Sequence, residues 1–203
     1  MKVAFLGATG NVGARLTTEL VSRGHQVTAI ARHPEKLTKQ EGVTVTAGDV
    51  TNEEGLAATI AGHDATIHSV KFLSTDVEKV ISATKKGHVA RLLVVGGAGS
   101  LEVAPGLLLA NAPNFPAEYK SEALAGVAFL ERLREEKVLD WTFLSPPAFF
   151  APGQRTGRFR LGKDQLLIAA DGKSHVSMED FAIALVDELE KPKNARERFT
   201  VGY

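Results

Sequence analysis

The sequence contains no cysteine among its 203 residues. This absence excludes disulfides, thiolate chemistry and cysteine-based metal sites, and it is typical of proteins from the reducing interior of a cell. The chain enters an apolar run at Val3 with no separate charged and apolar leader, and no apolar run approaches the roughly 18 residues that a membrane span requires. We therefore expect a cytoplasmic protein with no membrane partner.

An excess of charge of one sign is also missing, because 24 Lys and Arg residues match 24 Asp and Glu residues. No whole-chain field would draw such a protein to nucleic acid, so no nucleic-acid partner is expected. The six histidines lack the short spacing of metal ligands, and no metal site is predicted. With 44% hydrophobic residues, the chain is long enough to form a single domain over residues 1–203 with a substantial core.

The most informative segment that is present is a glycine-rich turn directly after the apolar run. It reads Gly7-Ala8-Thr9-Gly10-Asn11-Val12-Gly13 and leads into an amphipathic helical pattern that ends at Gly24. Three glycines at this spacing allow a tight turn, close approach of a pyrophosphate, and close packing of helix on strand. We predict a dinucleotide site whose phosphates are held by free amides at the helix start. A plain strand-to-helix turn is the alternative.

Beyond this turn, strand patterns alternate with helix patterns. The apolar run before the turn is counted as the first strand. The second to seventh strands are predicted at residues 26–31, 43–47, 64–70, 91–95, 141–144 and 199–201. Helices are predicted at 53–60, 76–86, 117–137 and 177–190, with a short turn or helix at 34–37. The alternation predicts an α/β fold with a Rossmann-like, doubly wound, mostly parallel sheet and helices on both faces, completed by a small C-terminal substrate-side portion. The proline-containing segment 104–117 is either a cover over the cofactor cleft or a surface excursion.

The end of the second predicted strand bears on the choice of cofactor. An NAD-specific site places an acidic residue there, about 20 residues beyond the glycines, to accept from the ribose 2′-hydroxyl. No acidic residue occurs between His25 and Pro34. Instead the strand is followed by Arg32 and His33, with Lys36 close behind, a set of charges that suits a 2′-phosphate. We predict that NADP(H) is preferred and NAD(H) possible; the alternative is a solvated loop arginine.

Two further residues are candidates for the adenine side of the site. Asp49 and Val50 follow Gly48 at the end of the third predicted strand, where an adenine ring would lie. The carboxylate of Asp49 would accept from the adenine amino group. Alternatively, Asp49 caps the next helix together with Thr51.

Several motifs resemble those of the atypical short-chain dehydrogenase/reductase superfamily, and within it the branch of flavin and biliverdin-IXβ reductases and bacterial NADH-flavin reductases. In the N-terminal half they are the glycine turn, Val27-Thr28-x-x-x-Arg32, Gly48-Asp49-Val50 and Asp64-Ala65-x-Ile67. In the C-terminal half they are residues 139–147, Arg155-Thr156-Gly157, Asp171-Gly172-x-Ser174-x-Val176-Ser177-x-x-Asp180 and residues 198–203. The resemblance implies that the ends of the fourth, fifth and sixth strands border the nicotinamide, through Ser69, Val70, Lys71, Gly97, Ala98, Pro146 and Pro147.

The sequence departs from this superfamily at its catalytic acid. Dehydrogenases acting on alcohols use Tyr-x-x-x-Lys, but Tyr119 is followed four residues later by Ala123, and the other tyrosine is Tyr203. This disfavours alcohol oxidation and the epimerisation or dehydration of sugar nucleotides. Reduction of a flavin or quinone needs no such acid, because the remaining proton can come from water. Biliverdin reduction is disfavoured by Ala148, since the related reductases carry a histidine there.

The resulting hypothesis is an NADPH-dependent reductase that acts on a small planar acceptor, with flavin as a substrate and not a bound prosthetic group. Phe149, Phe150 and Arg155 are predicted to line the substrate cleft, although paired phenylalanines often belong to a core. Ser100 is a catalytic candidate; a turn serine bonded to its own backbone is the alternative. A different class also fits the missing acid, namely an NmrA-like redox sensor that binds NADP(H) without turnover and acts through a protein partner.

Overall fold

The structure is a computed structural model and describes residues 1–36 and 40–203. The strands within these ranges are β1 (Lys2–Leu6), β2 (Gln26–Ala31), β3 (Val43–Ala47), β4 (Ala65–His68), β5 (Arg91–Val95), β6 (Glu102–Ala104), β7 (Leu107–Leu108), β8 (Asp140–Ser145), β9 (Phe149–Ala151), β10 (Arg160–Gly162), β11 (His175–Ser177) and β12 (Glu197–Gly202). The α-helices are α1 (Asn11–Ser22), α2 (Glu53–Ile60), α3 (Val77–Lys86), α4 (Ala117–Glu135) and α5 (Met178–Glu190). Single 3-10 turns occur at Pro34–Lys36, Phe72–Ser74, Ala98–Ser100 and Leu109–Asn111.

Eight strands form one sheet in the order β10-β12-β8-β5-β4-β1-β2-β3. All neighbouring pairs are parallel except β10 and β12, which are antiparallel. Strands β2 and β3 lie on one side of β1, and β4 lies on its other side. The strand order therefore reverses between β1 and β4, and ligands of such sheets bind at the carboxyl ends of the strands at this switch point. The predicted fold class is confirmed.

Helices cover both faces of the sheet. On one face, Leu16 and Leu20 of α1 and Phe181 of α5 pack in a fully buried cluster with Phe5 of β1. On the other face, α2, α3 and α4 pack over the sheet in two further clusters. The chain's single tryptophan, Trp141 of β8, is buried under α3 and α4. Its indole N–H donates to the carbonyl oxygen of Glu136 at 3.2 Å.

The predicted helix boundaries differ from the observed ones where a side chain caps the helix. Asp76, the first residue of the predicted helix 76–86, is an N-cap that accepts from the amide of Glu78. Ser177 begins the predicted helix 177–190, and its pairing with Asp180 also predicts a cap; it is the N-cap and accepts from the amide of Asp180. Helix α4 ends at Glu135, two residues before the predicted end. Beyond it, the amides of Val138 and Leu139 donate to the carboxylate of Glu136 and not to helix carbonyls. The short element at 34–37 is the 3-10 turn over Pro34–Lys36; Leu37 lies outside the described residues.

Two connections also differ from expectation. The predicted strand 64–70 is shorter, because β4 ends at His68 and the chain turns into the 3-10 helix Phe72–Ser74. In the segment 104–117, β7 completes a short antiparallel pair with β6. The amide of Glu102 in β6 donates to Asp164 and the carbonyl of Glu102 accepts from Leu166, which attaches this hairpin to residues 164–166.

Candidate functional site

The outer two glycines of the turn are required by the packing of the protein itself. Gly7 has a φ of +91°, and a Cβ there would lie 2.3 Å from the carbonyl oxygen of Ser69. A Cβ on Gly13 would lie 2.3 Å from the carbonyl oxygen of Gly7. A side chain at either position would collide with backbone, so β1, β4 and α1 approach closely only with glycine at both.

The middle glycine faces open space. A Cβ on Gly10 would have one protein atom within 4 Å, the carbonyl oxygen of Gly7 at 3.5 Å. Gly10 is the N-cap of α1 and offers no side-chain cap, while the amides of Asn11, Val12 and Gly13 have no acceptor among the described residues. Unpaired amides at a helix start, with the helix dipole behind them, suit an anionic group such as a pyrophosphate. The turn therefore fits the predicted dinucleotide.

A cavity of about 750 Å³ opens beside this turn and runs along the ends of β2 and β3. Its volume is typical of a small-molecule site. The predicted cofactor residues that line it are Gly7, Thr9, Arg32, His33, Asp49, Val50 and Val70. It is also lined by residues that sequence reasoning missed, among them Ala14, Thr17, Thr18, Thr51 and Ser74. These positions carry no motif of their own and become recognisable only through the folding of α1 and the strand ends around one space.

Asp49 lies at the edge of this cavity as an ionised carboxylate. Its Oδ1 accepts from both the amide and the hydroxyl of Thr51, each at 2.8 Å. These bonds, with a smaller contribution from the charge of Arg32, hold the pKa of Asp49 below its usual value. Helix α2 is capped by Asn52, whose side chain accepts from the amide of Gly55. The alternative in which Asp49 caps this helix is therefore wrong.

The cations at the end of β2 differ in their surroundings. Arg32 is exposed, lines the cavity and forms no ion pair with a described residue. Nδ1 of His33 lies 3.3 Å from a carboxylate oxygen of Glu35, and both side chains are exposed. Lys36 ends the 3-10 turn, and its side chain lies outside what the structure describes. Arg32 is thus the cation that the structure places at the cavity.

The residues predicted to border the nicotinamide follow three neighbouring strands. Ser69, Val70 and Lys71 follow β4, Gly97 and Ala98 follow β5, and Pro146 and Pro147 follow β8. Lys71 is exposed, both prolines are buried, and the rest are half-buried. Because these strands are parallel neighbours, the residues lie along one edge of the sheet, and among them Val70 reaches the large cavity.

Ser100 does not face the cavity. It is 4% exposed, and its hydroxyl donates to the carbonyl oxygen of Gly97 at 3.2 Å. Arg198 donates to the carbonyl oxygen of Ser100 at 3.1 Å, and the hydroxyl of Ser145 lies 3.4 Å away. The bond to Gly97 supports the alternative of a turn serine bonded to its own backbone. The other contacts place the hydroxyl in a buried polar cluster.

Arg155 forms a salt bridge with a carboxylate of α1. Its Nε and Nη2 donate to the two carboxylate oxygens of Glu19 on α1, each at 2.8 Å. The same carboxylate pairs with Arg23 at 2.7 Å. The bond from Arg155 is the main cause that lowers the pKa of Glu19. Arg155 therefore fastens its loop to α1, and its contact with substrate stays a prediction.

The two phenylalanines of β9 face opposite ways, as successive strand residues do. Phe150 packs on Phe181 of α5 with ring centroids 4.7 Å apart, so it belongs to the core. Phe149 is 67% exposed and directly follows Ala148 beyond the paired prolines. Phe149 therefore remains a candidate for contact with a planar substrate, and Phe150 does not.

Residues from three of the C-terminal motifs meet in one partly buried, hydrogen-bonded cluster. The carboxylate of Asp180, fully buried at the start of α5, accepts from the amides of Thr156 and Gly157, each at 2.8 Å. It also accepts from the hydroxyl of Tyr203 at 2.8 Å, and that hydroxyl accepts from the amide of Ser177. We call these five residues the Asp180 cluster. Their role in this structure is to join a loop, a helix start and β12.

His68, the last residue of β4, escaped sequence reasoning. Its ring is fully buried against Phe72 and Phe129, and burial lowers its pKa to about 4. Nε2 lies 3.2 Å from the hydroxyl of Thr75, and Nδ1 has no partner among the described residues. The ring is therefore neutral at pH 7 and adjoins the Ser69 end of the site.

Among the described residues, no helix combines the length and the apolar character needed to cross a membrane.

Comparisons with known proteins agree with this geometry. The family model described as NAD(P)H-binding matches residues 7–192. The uncharacterized protein YwnB of Bacillus subtilis (strain 168) is 41% identical over 211 aligned residues, which cover 99% of this chain and 98% of YwnB.

Two crystal structures have the same fold over the whole of this chain. A Bacteroides thetaiotaomicron protein named "putative epimerase" is 42% identical with a TM-score of 0.94, covering 100% of this chain and 96% of the other. A Streptococcus pneumoniae TIGR4 protein named "putative NADH-flavin reductase" is 34% identical with a TM-score of 0.85, covering 100% and 99%.

Proposed function

The chain belongs to the NAD(P)H-binding family, and on this premise we propose that it is an NADPH-dependent reductase that transfers hydride to a planar acceptor such as free flavin or a quinone. Its resemblance to the flavin reductase branch of the atypical short-chain dehydrogenase/reductases is confirmed, and it is an NAD(P)H-dependent oxidoreductase. The acceptor class and the preference for NADPH are the proposed parts.

The observation that carries the proposal is the glycine turn beside the cavity. Gly10 leaves room for a phosphate group, and the amides of Asn11, Val12 and Gly13 would hold it. The bound nicotinamide would supply the hydride, while the protein orients it at the ends of β4, β5 and β8.

The preference for NADPH is supported by the charges at the end of β2. Arg32 lines the cavity, and no carboxylate of β2 is present to accept from a ribose 2′-hydroxyl. A guanidinium can bind a 2′-phosphate through two parallel hydrogen bonds, whereas an acidic residue would repel it.

The acceptor class is supported by the surroundings of Tyr119. This tyrosine is 62% exposed on α4, and Ala123 stands where a partner lysine would be. A Cβ on Gly99 would lie 2.8 Å from the methyl group of Ala123, so the protein packs closely at this position. Without a tyrosine-lysine pair, carbonyl reduction and epimerisation lack their acid, but hydride transfer to an electron-poor ring does not need one. Phe149 offers an exposed aromatic face for such a ring.

The test is NADPH oxidation by wild type and Tyr119→Phe across flavins, quinones, and simple ketones and aldehydes. We expect turnover with flavin or quinone only, and a change of at most a few-fold in the variant, far below the 10²–10⁴ typical of losing a general acid. A hundredfold loss in Tyr119→Phe, or robust turnover of a simple ketone, would contradict the proposal. Tight NADPH binding without turnover on any acceptor would instead identify a redox sensor.

A further inference from the structure

The segment 69–74, between β4 and α3, forms one wall of the cofactor cavity. Val70 and Ser74 line the cavity directly. The carbonyl oxygen of Ser69 fills the space that a side chain on Gly7 would need. The position of this segment therefore determines how much room lies between it and the glycine turn.

A carboxylate from α4 holds the backbone of this segment. Oε1 of Glu122 accepts from the amide of Phe72 at 2.6 Å, and Oε2 accepts from the amide of Leu73 at 3.2 Å. These amides begin the 3-10 turn Phe72–Ser74, whose N-cap, Lys71, makes no side-chain capping bond. Bonds from amides to an ionised carboxylate are about twice as strong as neutral ones.

The same face of α4 also holds the side chain of the segment. The ring of Phe72 is 9% exposed and packs on Phe129, with centroids 5.2 Å apart. Gly126, one helical turn after Glu122, lets this ring approach α4 closely, since a Cβ there would stand 2.9 Å from it. Helix α4 therefore fixes Phe72 through its backbone and through its ring.

We propose that Glu122 is a positioning residue for the dinucleotide, which acts by fixing the segment 69–74 against the cofactor. This inference rests on the proposed function of the cavity. Both carboxylate oxygens bond to backbone amides, so Glu122 acts without touching the cofactor. The segment borders the part of the site common to both cofactors, and its displacement should therefore affect NADPH and NADH alike.

The test measures the Kd values of NADPH and NADH for wild type, Glu122→Ala and Glu122→Gln. Glu118→Gln is the matched control, because Glu118 is exposed on the same helix. We expect about tenfold weaker binding of both cofactors in Glu122→Ala, from the loss of two charge-assisted bonds, and no change in Glu118→Gln. Glu122→Gln keeps the size of the side chain and provides a folded variant if the alanine variant does not fold.

Amide hydrogen exchange separates positioning from a general loss of stability. We expect faster exchange at Phe72 and Leu73 in the Glu122 variants, with the strands β1 and β5 unchanged. Unchanged affinity despite faster exchange at these amides would overturn the inference. So would weaker binding that accompanies faster exchange throughout the chain. If wild type binds neither cofactor, the proposed function itself is wrong and the inference falls with it.

Discussion

At the scale of single residues, the three glycines of the turn serve two different purposes. Gly7 and Gly13 make room for protein backbone, whereas Gly10 faces open space that we propose the phosphate occupies. We therefore expect substitutions at Gly7 and Gly13 to damage the fold and a substitution at Gly10 to damage binding.

Gly10→Val is therefore expected to remain folded and to lose NADPH binding. Gly10 has a φ of −73°, which valine can adopt, and replacing glycine at an N-cap costs about 1 kcal/mol. Gly13→Ala is the contrasting variant, because its Cβ would meet backbone at 2.3 Å, and it should lower the melting temperature strongly. Thermal melts and cofactor titrations separate the two effects. NADPH binding of wild-type strength by folded Gly10→Val would show that the phosphate lies elsewhere.

We expect Arg32 to determine the preference for NADPH over NADH. Arg32→Ala should weaken NADPH binding by about 1.5–3 kcal/mol, the loss of a charge-assisted contact, and leave NADH nearly unchanged. Parallel titrations with both cofactors measure this difference. Equal weakening of both would mean that Arg32 does not contact the 2′-phosphate.

The sequence predicts those parts of the site that depend on local spacing. The glycine turn and the position of Arg32 follow from one strand-turn-helix pattern, and the observed β2 and β3 have the predicted bounds. No local pattern predicts the salt bridge of Arg155, because its partner, Glu19, lies 136 residues away in the sequence. Glu122 and Phe72 are 50 residues apart, and no local signal pairs them.

At the scale of elements, the Asp180 cluster joins β12, the start of α5 and the loop at 156–157. Each of these elements ends or turns at the cluster. The buried carboxylate of Asp180 accepts from the loop amides of Thr156 and Gly157, which lie outside the helices and strands. The motif residues in this cluster therefore hold three elements together, whereas the glycine turn and Arg32 of the N-terminal half adjoin the large cavity.

Tyr203→Phe tests this division of roles. The change removes the hydroxyl that bonds Asp180 and the amide of Ser177, and leaving buried polar groups unpaired costs about 1–3 kcal/mol. We expect a lower melting temperature, by roughly 2–4 °C for each kcal/mol, with unchanged NADPH affinity. Tyr119→Phe is the control, because its exposed hydroxyl bonds no described residue and its loss should not alter the melt. A clear fall in NADPH affinity would place the cluster within the site.

At the scale of the whole molecule, the neutral His68 makes stability depend on pH. Its pKa is about 4 in the folded protein, against 6.5 for an ordinary histidine. Between these values the unfolded chain binds a proton that the folded protein does not, so stability falls as the pH falls through this window, by up to about 1.4 kcal/mol per pH unit.

His68→Phe should remove this contribution, because phenylalanine suits a site beside Phe72 and Phe129 and does not titrate. Urea unfolding at pH 7, 6 and 5 measures it. We expect wild type to lose more free energy of unfolding than the variant over this range. Parallel pH profiles for the two proteins would show that His68 is not the source.

The buried Trp141 has a practical consequence for all of these measurements. It is the chain's one tryptophan and lies near the amino end of β8. The proposed cofactor site begins at the carboxyl end of that strand, four residues or about 13 Å away. No bound dinucleotide at that site would touch the indole or change its solvation. The wavelength of its emission therefore reports the integrity of the fold without interference from occupancy of the site, and every variant carries its own fluorescent folding control.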